Sequence, residues 1–283
     1  MQHIRLRLLL FGFGCLAACG TMPSTTITTI PSGGPLSQVN DSLYAHVLAR
    51  ALNASGAVSI AELRSDTELT KYLGEIARMR TDVFVSRESA LAFWVNAHNA
   101  YVLDLLRSTL SAHSTDDISG FRYAKVVLTG GAQYSLDDIE HTVLTTQFRE
   151  PRVFFALWDG SRSSPPLRAE PYADSRLSEQ LDDQLTHFLA DSTKNVLVRH
   201  ANTLYLSEIF RSYQDELEKV SGTLGGFVQT FAPPTMASWI KGHPALQVEY
   251  LRYDNTINRS DIETPHPAER PKRPSRRTSG GIQ

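Results

Sequence analysis

Between Leu91 and Leu106 the chain reads LAFWVNAHNAYVLDLL, and a helix built from those residues has no polar face. At 100° per residue, Leu91, Val95, Val102, Leu105 and Leu106 fill one side, with Trp94 and Tyr101 beside them. Phe93, Ala97 and Ala100 take the other. A helix that is apolar all round belongs in the middle of a fold, so this segment predicts a central buried helix. Ser86 is placed to cap it and Glu88 falls in its first turn, giving a start near Ser86 and an end near Leu110. Asn96 and Asn99 lie three apart and are neighbours on one narrow stripe. A buried amide without a partner costs about 1–3 kcal/mol, so each must hydrogen-bond something specific. Two roles fit: pinning neighbouring loop backbone, which the spacing alone favours, or lining a cleft to fix a ligand or an imidazole. His98 reads first as a satisfied core or rim histidine.

Around that helix the periodicity is mixed. Helical spacing runs from Val39 to Leu52, from Asp66 to Arg78, and through SRLSEQLDDQLTHFLA. RYAKVVLTGGAQYSL reads as two short strands about a Gly-Gly turn, NVLVRHANTLYLS as a strand pair and QVEYLRYDN as a late strand. RVFFALW reads as a buried strand. SLDDIEHTVLTTQF reads as a helix capped by Ser135, with Asp138 three residues on. Helices and hairpin-like strand pairs in mixed order predict an α+β single domain, its central buried helix packed on a small, mostly antiparallel sheet.

The N-terminus is not part of that domain. MQHIRLR carries Arg5 and Arg7, and LLLFGFGCLAAC is an apolar run too short to span a bilayer, the layout of a signal peptide over residues 1–18. Leu16-Ala17-Ala18-Cys19 resembles a bacterial lipobox, which makes Cys19 the expected site of lipidation and the first mature residue. Gly20 after the cysteine favours the outer membrane, facing the periplasm. Residues 19–37, rich in Thr, Ser, Pro and Gly, read as a tether, residues 38–258 as the domain, and residues 259–283 as a disordered basic tail. Cys15 is lost with the signal, so the mature chain has no cysteine for a disulfide, a thiolate metal site or a nucleophile.

Composition is otherwise that of a globular protein, 41% hydrophobic and 20% charged. Losing Arg5 and Arg7 takes the formal charge from −2 to −4, and the tail from Arg259 holds six basic and three acidic residues. The body is left near −7, which argues against nucleic acid as a partner. DDIEH places Asp137 and His141 four apart on one face. The Asp137 and Asp138 charges suit a helix N-terminus, and without His-x-His or His-Glu-x-x-His spacing no metal is expected.

Five ordered blocks carry a family resemblance: LAFWVNAHNAYVL, YSLDDIEHTVL, PRVFFALWDGSRSSPPLR, LSEIFRSYQDEL and VEYLRYDNTIN. They are similar to domain-of-unknown-function family 547, a bacterial and plant family, over about Ser42 to Asn258. By analogy the resemblance implies a distant papain-like or transglutaminase-like relation, in which a thiolate is activated by histidine. The family's strand histidine is Phe154 here, its Asn-Cys pair is Trp158-Asp159, and its cysteine before the prolines is Ser164. Asn96, Asn99, Glu140, His141, Arg152, Pro165 and Pro166 are retained, and His98 replaces a tyrosine.

The expected cleft therefore gathers Asn96, His98, Asn99, Glu140, His141, Arg152 and Ser164, with Glu140 and His141 as a hydrogen-bonded pair. The expected protein is a membrane-anchored envelope lipoprotein that binds a ligand, or an envelope protein or peptide partner, without catalysis or cofactor. The alternative is a hydrolase or acyl-transferase using Ser161, Ser163 or Ser164 with His141 as base, although no Gly-x-Ser-x-Gly elbow is present. Contact between His141 and one of those hydroxyls separates the two.

Overall fold

A computed structural model describes residues 34–261. The signal segment, Cys19, most of the tether and the tail from residue 262 lie outside the described residues.

Helix α4 (Arg87–Ser108) organises the domain, with fifteen of its 22 residues buried. It starts where Ser86 and Ser89 cap each other reciprocally, side chain to backbone in both directions. Around it pack α2 (Ile60–Arg64), α3 (Thr67–Arg78) and a π-helix (Asp138–Phe148), while α1 (Asp41–Ala51) lies against α3. Asp66 caps α3 by accepting from Glu68 and Leu69 N–H, and also receives Arg50.

The strands form two small sheets. Strands β1 (Val127–Thr129) and β2 (Ala132–Tyr134) make an antiparallel hairpin whose turn residues, Gly130 and Gly131, both have positive φ, 58° and 77°. The hairpin packs on α4 through β1 and through Tyr134 of β2, which meets Trp94 edge-on. Strands β3 (Val196–Val198) and β4 (Thr203–Ser207) pair antiparallel, whereas β4 and β5 (Gln247–Leu251) run parallel. A parallel neighbour needs a long crossover, supplied here by helices α6 (Glu208–Ser212), α7 (Gln214–Ser221), α8 (Leu224–Phe231) and α9 (Pro234–Gly242). Phe188 of α5 (Leu177–Ala190), Phe210 of α6 and Phe227 of α8 all meet Phe155, tying this module to the core. The α+β class is as expected.

Two local readings need correction. Pro151–Phe155, expected as the start of a buried strand, is a 3-10 helix begun by a proline at its N-terminus and by Glu150 accepting from Arg152 N–H. A short buried apolar run does not distinguish the two, and Pro151 suits a helical first turn. The helix after Ser135 has the expected reciprocal cap with Asp138, but then widens into π geometry. Within it Thr145 and Thr146 donate to the carbonyls five residues back, of Glu140 and His141.

After β5 the chain crosses the domain as an extended strap. Thr115 N–H donates to Asn255 C=O, Arg162 N–H to Thr256 C=O, Asn258 N–H to Gly160 C=O and Val58 N–H to Asn258 C=O. Three loops far apart in sequence are thereby joined by one segment.

Candidate functional site

A cleft of about 620 Å³ opens between α4, the π-helix, the 115–123 loop, α6 and the strap. Its floor is Glu140, 4% exposed. One carboxylate oxygen faces His98 Nε2 at 3.2 Å; the other accepts from Arg122 at 2.5 Å and from the Tyr213 hydroxyl at 2.8 Å. Burial alone would raise this carboxyl. The His98 hydrogen bond and the Arg122 charge outweigh it and hold the group at about 2, so it is a carboxylate. Burial likewise opposes the Arg122 charge, but Glu140 raises the guanidinium above its ordinary value. Burial, with Glu140 beside it, lifts Tyr213 well above the ordinary phenol value, which keeps it a donor.

Behind the floor, the two amides of α4 grip backbone. Asn96 donates to Tyr172 C=O and accepts from Tyr172 N–H, both at 2.9 Å. Asn99 donates to Ala156 C=O at 3.0 Å and accepts from Trp158 N–H at 2.9 Å. Each amide thus satisfies a buried N–H and C=O that no strand neighbour would reach. His98 Nδ1 faces the same Asn99 oxygen at 3.1 Å, so both ring nitrogens point at acceptors.

The segment that Asn99 clamps carries Phe154 and Asp159, the positions where the resemblance implies histidine and cysteine. Both line the cleft. Phe154 stacks flat on Tyr213, centroids 3.8 Å apart, and the His141 ring lies 5.9 Å from the same ring. Asp159 accepts from Ser161 N–H at 2.9 Å and from the Tyr253 hydroxyl at 2.8 Å. The chain then turns at Gly160, φ 85°, where a side chain would be strained and its Cβ would press on the Leu106 methyl of α4 at 2.8 Å.

Of the expected site residues, His98, Glu140 and His141 line the cleft. Asn96 and Asn99 sit behind it as backbone clamps. Glu140 pairs with His98 rather than with His141, which is half exposed and bonded to Asp137 at 3.1 Å. Helical spacing puts residues 140 and 141 on different faces, which is why the sequence-adjacent pair does not form. Arg152 lies outside the cleft lining, engaged by Glu150 and Asp182. Ser164 is 1% exposed and its hydroxyl accepts from Asp159 N–H. Ser161 donates to Tyr253, and Ser163 accepts from Asp254 N–H. Among the described residues His141 bonds to none of these three hydroxyls, and no cluster of three or more His, Cys, Asp or Glu suits a metal ion.

Arg122, Tyr213 and Tyr253 were not legible as site residues. Tyr213 and Tyr253 lie in quoted family-like blocks, LSEIFRSYQDEL and VEYLRYDNTIN, which was the available signal; Arg122 had none.

Comparison with curated proteins and with solved structures finds no match. The family model described as "Protein of unknown function, DUF547" does match, over residues 84–189. That stretch takes in α4, the π-helix, Asp159 and nearly all of α5, and stops short of Tyr213 and Tyr253. From Phe84 to Leu189, then, the chain is similar to the DUF547 family model.

Proposed function

We propose that this chain is a lipid-anchored bacterial envelope protein, held at the outer membrane through Cys19, whose DUF547 cleft binds a ligand or protein partner without turning it over. The observation that carries the binding reading is the state of the cleft's reactive positions. Phe154 and Asp159 stand where the family resemblance implies histidine and cysteine, and Glu140 already accepts from three donors. A nucleophile needs an adjacent base oriented by a third group. Ser161, Ser163 and Ser164 instead take part in holding the 159–164 loop to itself and to the strap.

A photocrosslinker at Tyr123, an exposed residue on the cleft lining, tests the reading in the native envelope. Discrete adducts are expected there and not from the same group at Val85, exposed but outside the cleft lining. The hydrolase alternative takes over if a fluorophosphonate labels one of the three serines and His141→Ala abolishes the labelling. For the anchor, Cys19→Ser is expected to leave a soluble or unprocessed protein; processed protein still sedimenting with membranes overturns it.

A further inference from the structure

The carboxylates on the cleft wall are not equivalent. Glu140 has Arg122, Asp137 has His141 at 3.1 Å and Glu208 has Arg211 at 3.6 Å. Asp116 meets only the Asn255 amide, but it is exposed and water serves it. Asp159 is half-buried, and both of its oxygens are oriented by neutral donors, Ser161 N–H and Tyr253 O–H. Among the described residues no Lys, Arg or His lies within 4 Å of its carboxylate. Arg122 and Lys194 act on it only from farther away, and each is committed, Arg122 to Glu140 and Lys194 to Ser164 C=O at 2.7 Å.

A carboxylate with fixed geometry and no contacting counter-ion, in a preformed cleft, is a receptor for a cation. Aromatic side chains complete it, since Tyr253 and Phe121 line the same space and a ring face attracts an organic cation further. Building on the binding reading above, we propose that the cleft takes a ligand bearing an ammonium or guanidinium group, and that this group pairs with Asp159. The cation replaces none of the existing bonds. Tyr253 and Ser161 N–H together use two of the acceptor positions on the carboxylate, which leaves others for the ligand.

Such a cation reaches the cleft on a lysine or arginine side chain of a peptide, or as a free polyamine. The test is a calorimetric or NMR titration of the mature chain at low salt. The probes are 1,5-diaminopentane, the N-acetyl methylamides of lysine and arginine, and glutarate as an anion of similar length. The three cations are expected to bind and glutarate is not; a tighter diamine indicates the free polyamine, a tighter amino-acid amide the peptide. Asp159→Asn, which keeps the shape, is expected to weaken cation binding tenfold or more. Tyr253→Phe, which leaves the charge but frees its orientation, should weaken it severalfold, and Glu208→Gln less than threefold. Melting temperatures check that each variant is folded. The proposal is overturned if Asp159→Asn and Tyr253→Phe both bind the cations within twofold of the wild type. It is overturned equally if no cation binds, or if glutarate binds as well as they do. Glutarate binding alone leaves the binding reading standing, whereas silence from every probe together with no adduct at Tyr123 ends both.

Discussion

Glu140 and Asp159 are carboxylates in one cleft, and the fold treats them in opposite ways. Glu140 is buried with a histidine, an arginine and a tyrosine all directed at it, so most of its acceptor capacity and its charge are engaged inside the protein. Asp159 is half-buried, oriented only by a backbone N–H and a tyrosine, and has capacity left over. The contrast separates two uses of the same functional group. A carboxylate paired within its own protein holds walls together, while one with positions unfilled is left able to accept a further donor. The bonds of Glu140 join α4, the 115–123 loop, the π-helix and the start of α7, four parts of the chain that no other single side chain connects at this point.

Substitutions rank the two. The largest effect is expected from Glu140→Gln, which sets an amide against Arg122 and Tyr213 and leaves the part-buried Arg122 without its counter-ion. About 3–5 kcal/mol of stability should be lost in chemical denaturation, and a loss below about 1 kcal/mol would erase the distinction. Acid sharpens the same point. The folded carboxyl sits at about 2 against an ordinary 4.5, so its contribution is present in full above about 4.5 and is lost as pH falls through about 2. The stability gap between wild type and Glu140→Gln should therefore narrow steadily from about pH 5 to about pH 2. A gap that stays constant over that range would mean the charge is not what holds the floor.

Next comes Asn99→Ala, expected to lose about 3 kcal/mol because Trp158 N–H, Ala156 C=O and His98 Nδ1 all lose their partner. Tyr213→Phe keeps the stack on Phe154 and removes one of three donors to Glu140, so about 1 kcal/mol is expected. Asp159→Asn stands last, within about 0.5 kcal/mol by the same measurement, because the amide oxygen still accepts from Ser161 N–H and its NH2 can donate to the Tyr253 hydroxyl once that O–H turns away. A large loss there would place Asp159 with Glu140 as a holding group.

Legibility in the sequence followed the range of the interaction that decides each feature. Helix α4 was readable because its cap and its all-round apolarity are local, and the β1–β2 hairpin because two glycines mark its turn. The 3-10 helix at Pro151 was not, since burial of an apolar run says nothing about its backbone. The π-helix escaped because it shares helical periodicity until its i−5 bonds are seen. For the amides the demand for partners was legible, and the partners themselves, 57 to 76 residues away, were not. The site shows the same limit. His98 and Glu140 were both candidates, yet their pairing spans 42 residues and Tyr213 joins them from 73 residues beyond Glu140.

The strap from Tyr253 to Asn258 has a consequence for timing. A chain is made from its N-terminus, and α4, the π-helix and Asp159 can assemble before the strap exists. Until residue 258 has emerged, the 160–163 loop lacks its backbone partners, Asp159 lacks the Tyr253 hydroxyl, and Val58 lacks the contact 200 residues away that closes the far side. A nascent chain would thus carry the cleft's floor without its rim, and recognition at Asp159 would switch on only with the last part of the domain to be synthesised.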